Sequence, residues 1–334
     1  MNRRLKTGVL GIAAGTMLAA TPAAAQLNSE PAEVRVGIID VRADTLTFPD
    51  RRTSIEYREF AEQGKSSASW ITESGADHGQ VMASAFVKQL RLVDKAAKIR
   101  IYAANIFQEN SSATGSALYS REGSKRTISM NIAGAKEALA WFKEKGVKVV
   151  LTAFNGTDTE VMRSFMKTAD DYGMTVFASA GNKAGGAMFP AAYKQTISIA
   201  ADNRDLVFRQ EASYAAWVNF TMDGGVPEGI TGGKADEGSS FATAKAAALG
   251  AYYAAAFPSA SRDQIAGALG KAAAPQGYSI QGTTVSAMHL DEMASARQLL
   301  DQSGGREAVQ QDQDRGRANI AAAANSAALN SLSH

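Results

Sequence analysis

Short apolar runs alternate along this chain with stretches whose apolar residues recur every three or four positions. Residues 34–40 (VRVGIID) read as a buried strand that ends in a carboxylate. Runs at 97–105 (AKIRIYAAN), 147–154, 174–180 and 195–201 (QTISIAA) predict four more strands. Between them, residues 130–144 place Ile132, Ala135, Leu139 and Phe142 on one helical face and stop at Gly146. Residues 158–172 form a second amphipathic segment, stopped by Gly173. A further helix begins at His78, where the small residues Ala83 and Ser84 allow close packing. Residues 261–273 predict a helix capped by Ser261, and 289–300 a closing helix or turn. Strands alternating with helices imply an α/β fold with a mostly parallel central sheet, right-handed crossovers and helices on both faces.

One helix differs from the others. From Ala246 to Phe257 it is almost all Ala, Leu and Tyr, so it is expected to be buried nearly all round, with Lys245 as its interruption. It opens from a tight Gly238-Ser239-Ser240 turn. A helix N-terminus carries unpaired N–H groups and the positive end of the macrodipole, which favour negative charge on a nearby oxygen. Two roles are open to Ser240: an N-cap or a nucleophile. Residues 42–75 are polar and read as surface loops. Residues 108–125 form a long polar loop of a kind that tends to be functional or mobile. Residues 203–237 are loop-rich, with a short strand expected around 218–220.

Composition sharpens the picture at the ends. The 334 residues suffice for one large domain or two small ones, and a net charge of +2 gives no reason to expect a nucleic-acid partner. The absence of cysteine excludes thiolate catalysis and disulfides. Arg3, Arg4 and Lys6 precede an apolar run at 8–20, and Ala23-Ala24-Ala25 fits a cleavage site. Residues 1–25 are therefore expected to be a signal peptide that leaves Gln26 as the mature N-terminus, the other reading being an uncleaved anchor. The run is too short for a spanning helix, and no membrane span is expected in the mature form. An exported protein, periplasmic or secreted, follows. Residues 26–302 form the expected folded domain. In 303–334 Gln, Asp, Arg and Ala dominate, as in a weakly ordered tail or a marginal helix.

Asp40, His78, Asn182 and Ser240 carry the candidate chemistry. Taken singly, Asp40 could be a strand-end cap, His78 a structural residue at a helix start and Asn182 a turn residue after Gly181. In this order, and within VGIID, DHG, FASAGN and GSSFATA, they resemble the subtilisin-like serine peptidases. FPAAYKQTISIAA and LDEMASA are similar to the family's neighbouring segments, so the resemblance covers about residues 34–300. It implies a three-layer subtilisin-like fold and a serine endopeptidase acting on polypeptides. Asp40, His78 and Ser240 would be the catalytic triad and Asn182 the oxyanion donor. Ala153, Phe154, Asn155 and Gly156 would line the substrate cleft and pair with the substrate backbone. Met188 would either floor the specificity pocket or fill core.

Three features depart from the family pattern. Val41-Arg42 replaces the usual residues after the aspartate, Arg42 bringing a charge near the site, and Gln80 stands where threonine is usual. Only residues 26–40 separate the expected cleavage point from Asp40, too few for the usual N-terminal pro-domain. A separate folding or inhibitory partner chain, or the 303–334 tail, would then stand in for it unless the enzyme folds unaided. Calcium is common in the family, but no compact ligand motif is present and no site is assigned; no other cofactor is expected. These departures motivate an alternative reading: a catalytically weak subtilisin-like binding or assembly factor.

Overall fold

A computed structural model describes residues 33–302 apart from 45, 63–71, 73–75, 111–118, 121–126, 183–186, 203–216, 227–235 and 281–282. The expected signal peptide and tail, and most of the 108–125 loop, lie outside the described residues. The chain begins with β1 (Glu33–Asp40), β2 (Thr53–Glu59), α1 (His78–Val93), β3 (Lys98–Asn105), β4 (Phe107–Asn110), β5 (Tyr119–Ser120) and β6 (Thr127–Met130). It continues with α2 (Ile132–Glu144), β7 (Val149–Thr152), α3 (Glu160–Asp171), β8 (Thr175–Ser179), β9 (Thr196–Asp202), β10 (Phe220–Asp223), β11 (Gly225–Val226) and β12 (Asp236–Glu237). It closes with α4 (Ser239–Ala256), α5 (Arg262–Ala272), β13 (Ala274–Ile280), β14 (Thr283–Leu290) and α6 (Glu292–Gln302).

Nine strands form the central sheet in the order β13-β14-β10-β9-β8-β7-β1-β3-β2. Every neighbouring pair is parallel except β13 with β14. Side chains alternate between two cores, as strand geometry requires. Val34, Val36, Ile38, Val149, Leu151 and Phe177 join α1, α4, α5 and α6 on one face. Ile39, Val150 and Val176 join α2 and α3 on the other. The result is a three-layer α/β fold. Two glycines make the close approaches possible. A Cβ at Gly37 would lie 2.5 Å from the ring of Phe142 in α2, and one at Gly250 of α4 only 2.3 Å from Phe177 in β8.

The sheet reverses its strand order at β1, which pairs with β3 on one side and β7 on the other. Ligands of open α/β sheets bind at the carboxyl ends of the strands at such a reversal. Asp40, the last residue of β1, stands there.

Several elements differ from the sequence expectations. Part of the 42–75 stretch is the edge strand β2, whose residues beyond Thr53 are mostly exposed or half-buried. Met130 belongs to β6, not to the following helix. His289 lies in β14, and the last helix starts only at Glu292. In that strand His289 Nδ1 approaches Asp202 Oδ2 at 2.6 Å, and Tyr278 donates its hydroxyl to the same oxygen at 2.9 Å. Thr221 Oγ1 bonds the Tyr278 hydroxyl at 2.6 Å, so β9, β10, β13 and β14 meet in one polar cluster.

Candidate active site

Asp40 and His78 are both buried, and His78 Nδ1 lies 2.9 Å from each carboxylate oxygen of Asp40. The Val41 N–H also donates to Asp40 Oδ1, at 2.7 Å. A carboxylate accepts, so Nδ1 must carry a proton; in the neutral ring the lone pair then sits on Nε2. Gly79 lets helix α1 start this close to the end of β1. A Cβ there would lie 2.5 Å from the Val41 carbonyl oxygen and 2.7 Å from that of Arg42. Gln80 reaches back to accept the Asp77 N–H at 3.3 Å, the side-chain half of a capping box at the helix start. Arg42 forms a two-point pair with Asp44, at 3.1 and 2.7 Å, and Asp44 raises its pKa through that hydrogen bond and its charge. The cation introduced beside the strand end is thus matched by an anion two residues on.

Ser240 is the second residue of α4 and is buried, as are nearly all residues of that helix. The Phe241 ring packs 5.5 Å from the His78 ring, which brings the start of α4 against the start of α1. Among the described residues the Ser240 hydroxyl makes no hydrogen bond. The Ser239 N–H goes to Asn182 Oδ1 at 2.8 Å, and those of Phe241 and Ala242 go to the Gly238 carbonyl at 3.1 and 3.3 Å. Among the described residues the Ser240 N–H is left without an acceptor.

Asn182 follows β8 through Gly181, whose φ of 92° is a conformation that L side chains rarely adopt. Its Oδ1 accepts two bonds from Ser239, from the N–H at 2.8 Å and from the hydroxyl at 2.7 Å. The Ser239 N–H is a pure donor, so the amide oxygen must face it, and Nδ2 points elsewhere. Ser179 bonds the Ser239 hydroxyl at 2.7 Å and accepts the Gly181 N–H at 3.3 Å. Nδ2 lies 3.2 Å from where a Cβ of Gly238 would be, so a side chain there would crowd the amide. Sequence reasoning missed Ser179 and Ser239. Their signal was the pair of hydroxyls within FASAGN and GSSFATA.

The expected cleft residues sit beyond β7, on the same edge as Asp40. Ala153 is buried. Phe154 is also buried and packs on Phe107 and Phe165, so its side chain belongs to the second core. Gly156 exchanges backbone hydrogen bonds with Phe189 at 2.8 and 3.1 Å, which ties the 153–156 segment to the stretch that carries half-buried Met188. The buried Oδ1 of Asn155 has no hydrogen-bond partner among the described residues. Among the described residues, no three His, Asp or Glu side chains converge as metal ligands.

No family model matches the chain, and neither does any curated protein. Solved structures do. The protease domain of PatA, determined as a point mutant, is 13% identical with a TM-score of 0.58, over 80% of this chain and 96% of that one. A lanthipeptide protease is 14% identical with a TM-score of 0.55, over 80% and 88%. A cold-adapted subtilisin-like serine proteinase is 18% identical with a TM-score of 0.54, over 78% and 88%. The parallel sheet, its reversal at β1 and the two helical layers are thus those of the subtilisin-like proteases, and this chain has the subtilisin-like fold.

Proposed function

We propose that this chain is an exported serine endopeptidase. The observation that carries the reading is the buried Asp40–His78 pair at the sheet's reversal point, packed beside the helix start that bears Ser240. In this reading Ser240 Oγ attacks the peptide carbonyl while His78 Nε2 takes its proton. Asp40 holds the ring in the right tautomer and stabilises the imidazolium. The tetrahedral oxyanion receives the Ser240 N–H and Asn182 Nδ2. Collapse breaks the C–N bond, the amine leaves with the proton from His78, and water hydrolyses the acyl-enzyme by the same route. No step is assigned to a metal.

The substrate is a polypeptide bound in extended form along the 153–156 segment, with Met188 limiting the depth of the pocket for the residue before the scissile bond. Export rests on the basic and apolar pattern of residues 1–25. No helix among the described residues is long and apolar enough to cross a membrane. A separate chain that assists folding or blocks the site belongs to the same proposal.

A second reading, a subtilisin-like binding factor of weak activity, is favoured by one observation: the Ser240 hydroxyl makes no hydrogen bond among the described residues. Incubation with a mixture of defined peptides, followed by mass spectrometry, separates the two. The protease reading expects internal cleavage by the wild-type protein and none by Ser240→Ala. Intact peptides with a folded wild-type protein would favour the binding factor.

A further inference from the structure

The α4 helix buries one cation, Lys245, among alanines. A buried ammonium is costly unless each of its donors is matched. Here all three are: the Asp223 carbonyl at 2.9 Å, the Gly225 carbonyl at 2.8 Å and the Glu292 carboxylate. The two carbonyls flank Gly224. The Gly224 carbonyl accepts the N–H of Gly238 at 3.0 Å, and a Cβ on Gly224 would lie 2.6 Å from the Gly238 carbonyl oxygen. Gly238 is the N-cap of α4, and its own carbonyl holds the first turn that contains Ser240. On the other side, the Glu292 carbonyl accepts from Gln89 of α1, the helix that starts at His78.

We propose that Lys245 is a positioning residue. It clamps the 223–225 segment so that Gly224 fixes Gly238 and thereby the placement of Ser240 relative to His78. The proposal rests on the serine-protease reading for its kinetic consequence, but the clamp itself has a structural readout.

The test compares full-length wild type, Lys245→Met and Glu292→Gln in two measurements. One is hydrogen–deuterium exchange of peptides spanning residues 236–242. The other is fluorophosphonate labelling, with the maximal rate and the half-saturating concentration determined separately across pH. The clamp predicts faster exchange at Gly238 in Lys245→Met and a maximal labelling rate lower by about ten- to a hundredfold, the scale of small misplacements at a reacting group. The half-saturating concentration and the pH midpoint, which report the pocket and His78, stay as in wild type. Glu292→Gln, which keeps an acceptor but loses the charge, shows both effects more weakly, and it carries the test if Lys245→Met does not fold. Unchanged exchange and labelling in a folded variant overturn the proposal, as does a rate loss accompanied by a shifted pH midpoint. A wild-type protein that never labels, with exchange still faster in the variant, supports the clamp and overturns the protease reading instead.

Discussion

Asn182 has both lone pairs of its amide oxygen engaged by Ser239, which aims its remaining donors by geometry rather than by chance. A donor fixed in this way stabilises charge that appears only in the transition state. Asn182→Ala is therefore expected to lower turnover by about 10²–10³-fold with little change in KM. Steady-state kinetics on a cleaved peptide decide it; an equal effect on KM alone would place Asn182 in ground-state binding. At this scale the sequence named Asp40, His78, Asn182 and Ser240 because each lies at or just beyond a strand end or a helix start in an identifiable motif. Ser179 and Ser239 escaped notice, since a hydroxyl among small residues is as readily a cap as a bridge. Lys245 was visible only as a break in an apolar run, because its partners lie twenty or more residues away.

Helix α4 packs at backbone distance against the sheet because alanine and glycine line it. Gly250→Ala would drive a methyl group into Phe177, and overpacking of this kind costs about 1–3 kcal/mol. Gly267→Ala in α5 meets nothing within 4 Å and should instead stabilise by roughly 0.5–1 kcal/mol. Denaturant midpoints of the two variants should move in opposite directions, and a shared direction would contradict the packing account.

His289 gives a pH prediction at the same scale. Burial lowers its pKa, but the Asp202 hydrogen bond and the charges of Asp202, Asp291 and Asp223 outweigh that, so the net shift is upward. Its stabilising contribution is then complete below its unfolded value of about 6.5 and is lost as pH rises through the folded value. The stability gap between wild type and His289→Gln should shrink with rising pH across that window. A gap that widens would show that the imidazole is held neutral.

The buried parallel strands were legible because each is a continuous apolar run. β2 was not, since an edge strand exposes polar side chains along most of its length. The β13–β14 hairpin (APQGYSI and TTVSAMHL) also lacks such a run and was missed.

Across the whole molecule, the proposed activity depends on the strand order. Because the neighbouring strands around β1 are parallel, their carboxyl ends share one edge, and the reversal at β1 opens that edge. Asp40 from β1, Asn182 beyond β8 and the segment after β7 gather there although they are far apart in sequence, and α1 and α4 deliver His78 and Ser240 to the same place. Alternating apolar runs and helical periods predicted the layers, but strand order enters the sequence only through motif order.

The most direct test of the account is intact-mass analysis of the purified protein after treatment with a fluorophosphonate, followed by peptide mapping. The account predicts one adduct per chain, located on Ser240, and none in Ser240→Ala or His78→Ala. A folded wild-type protein that stays unmodified, or an adduct on another residue, would contradict it.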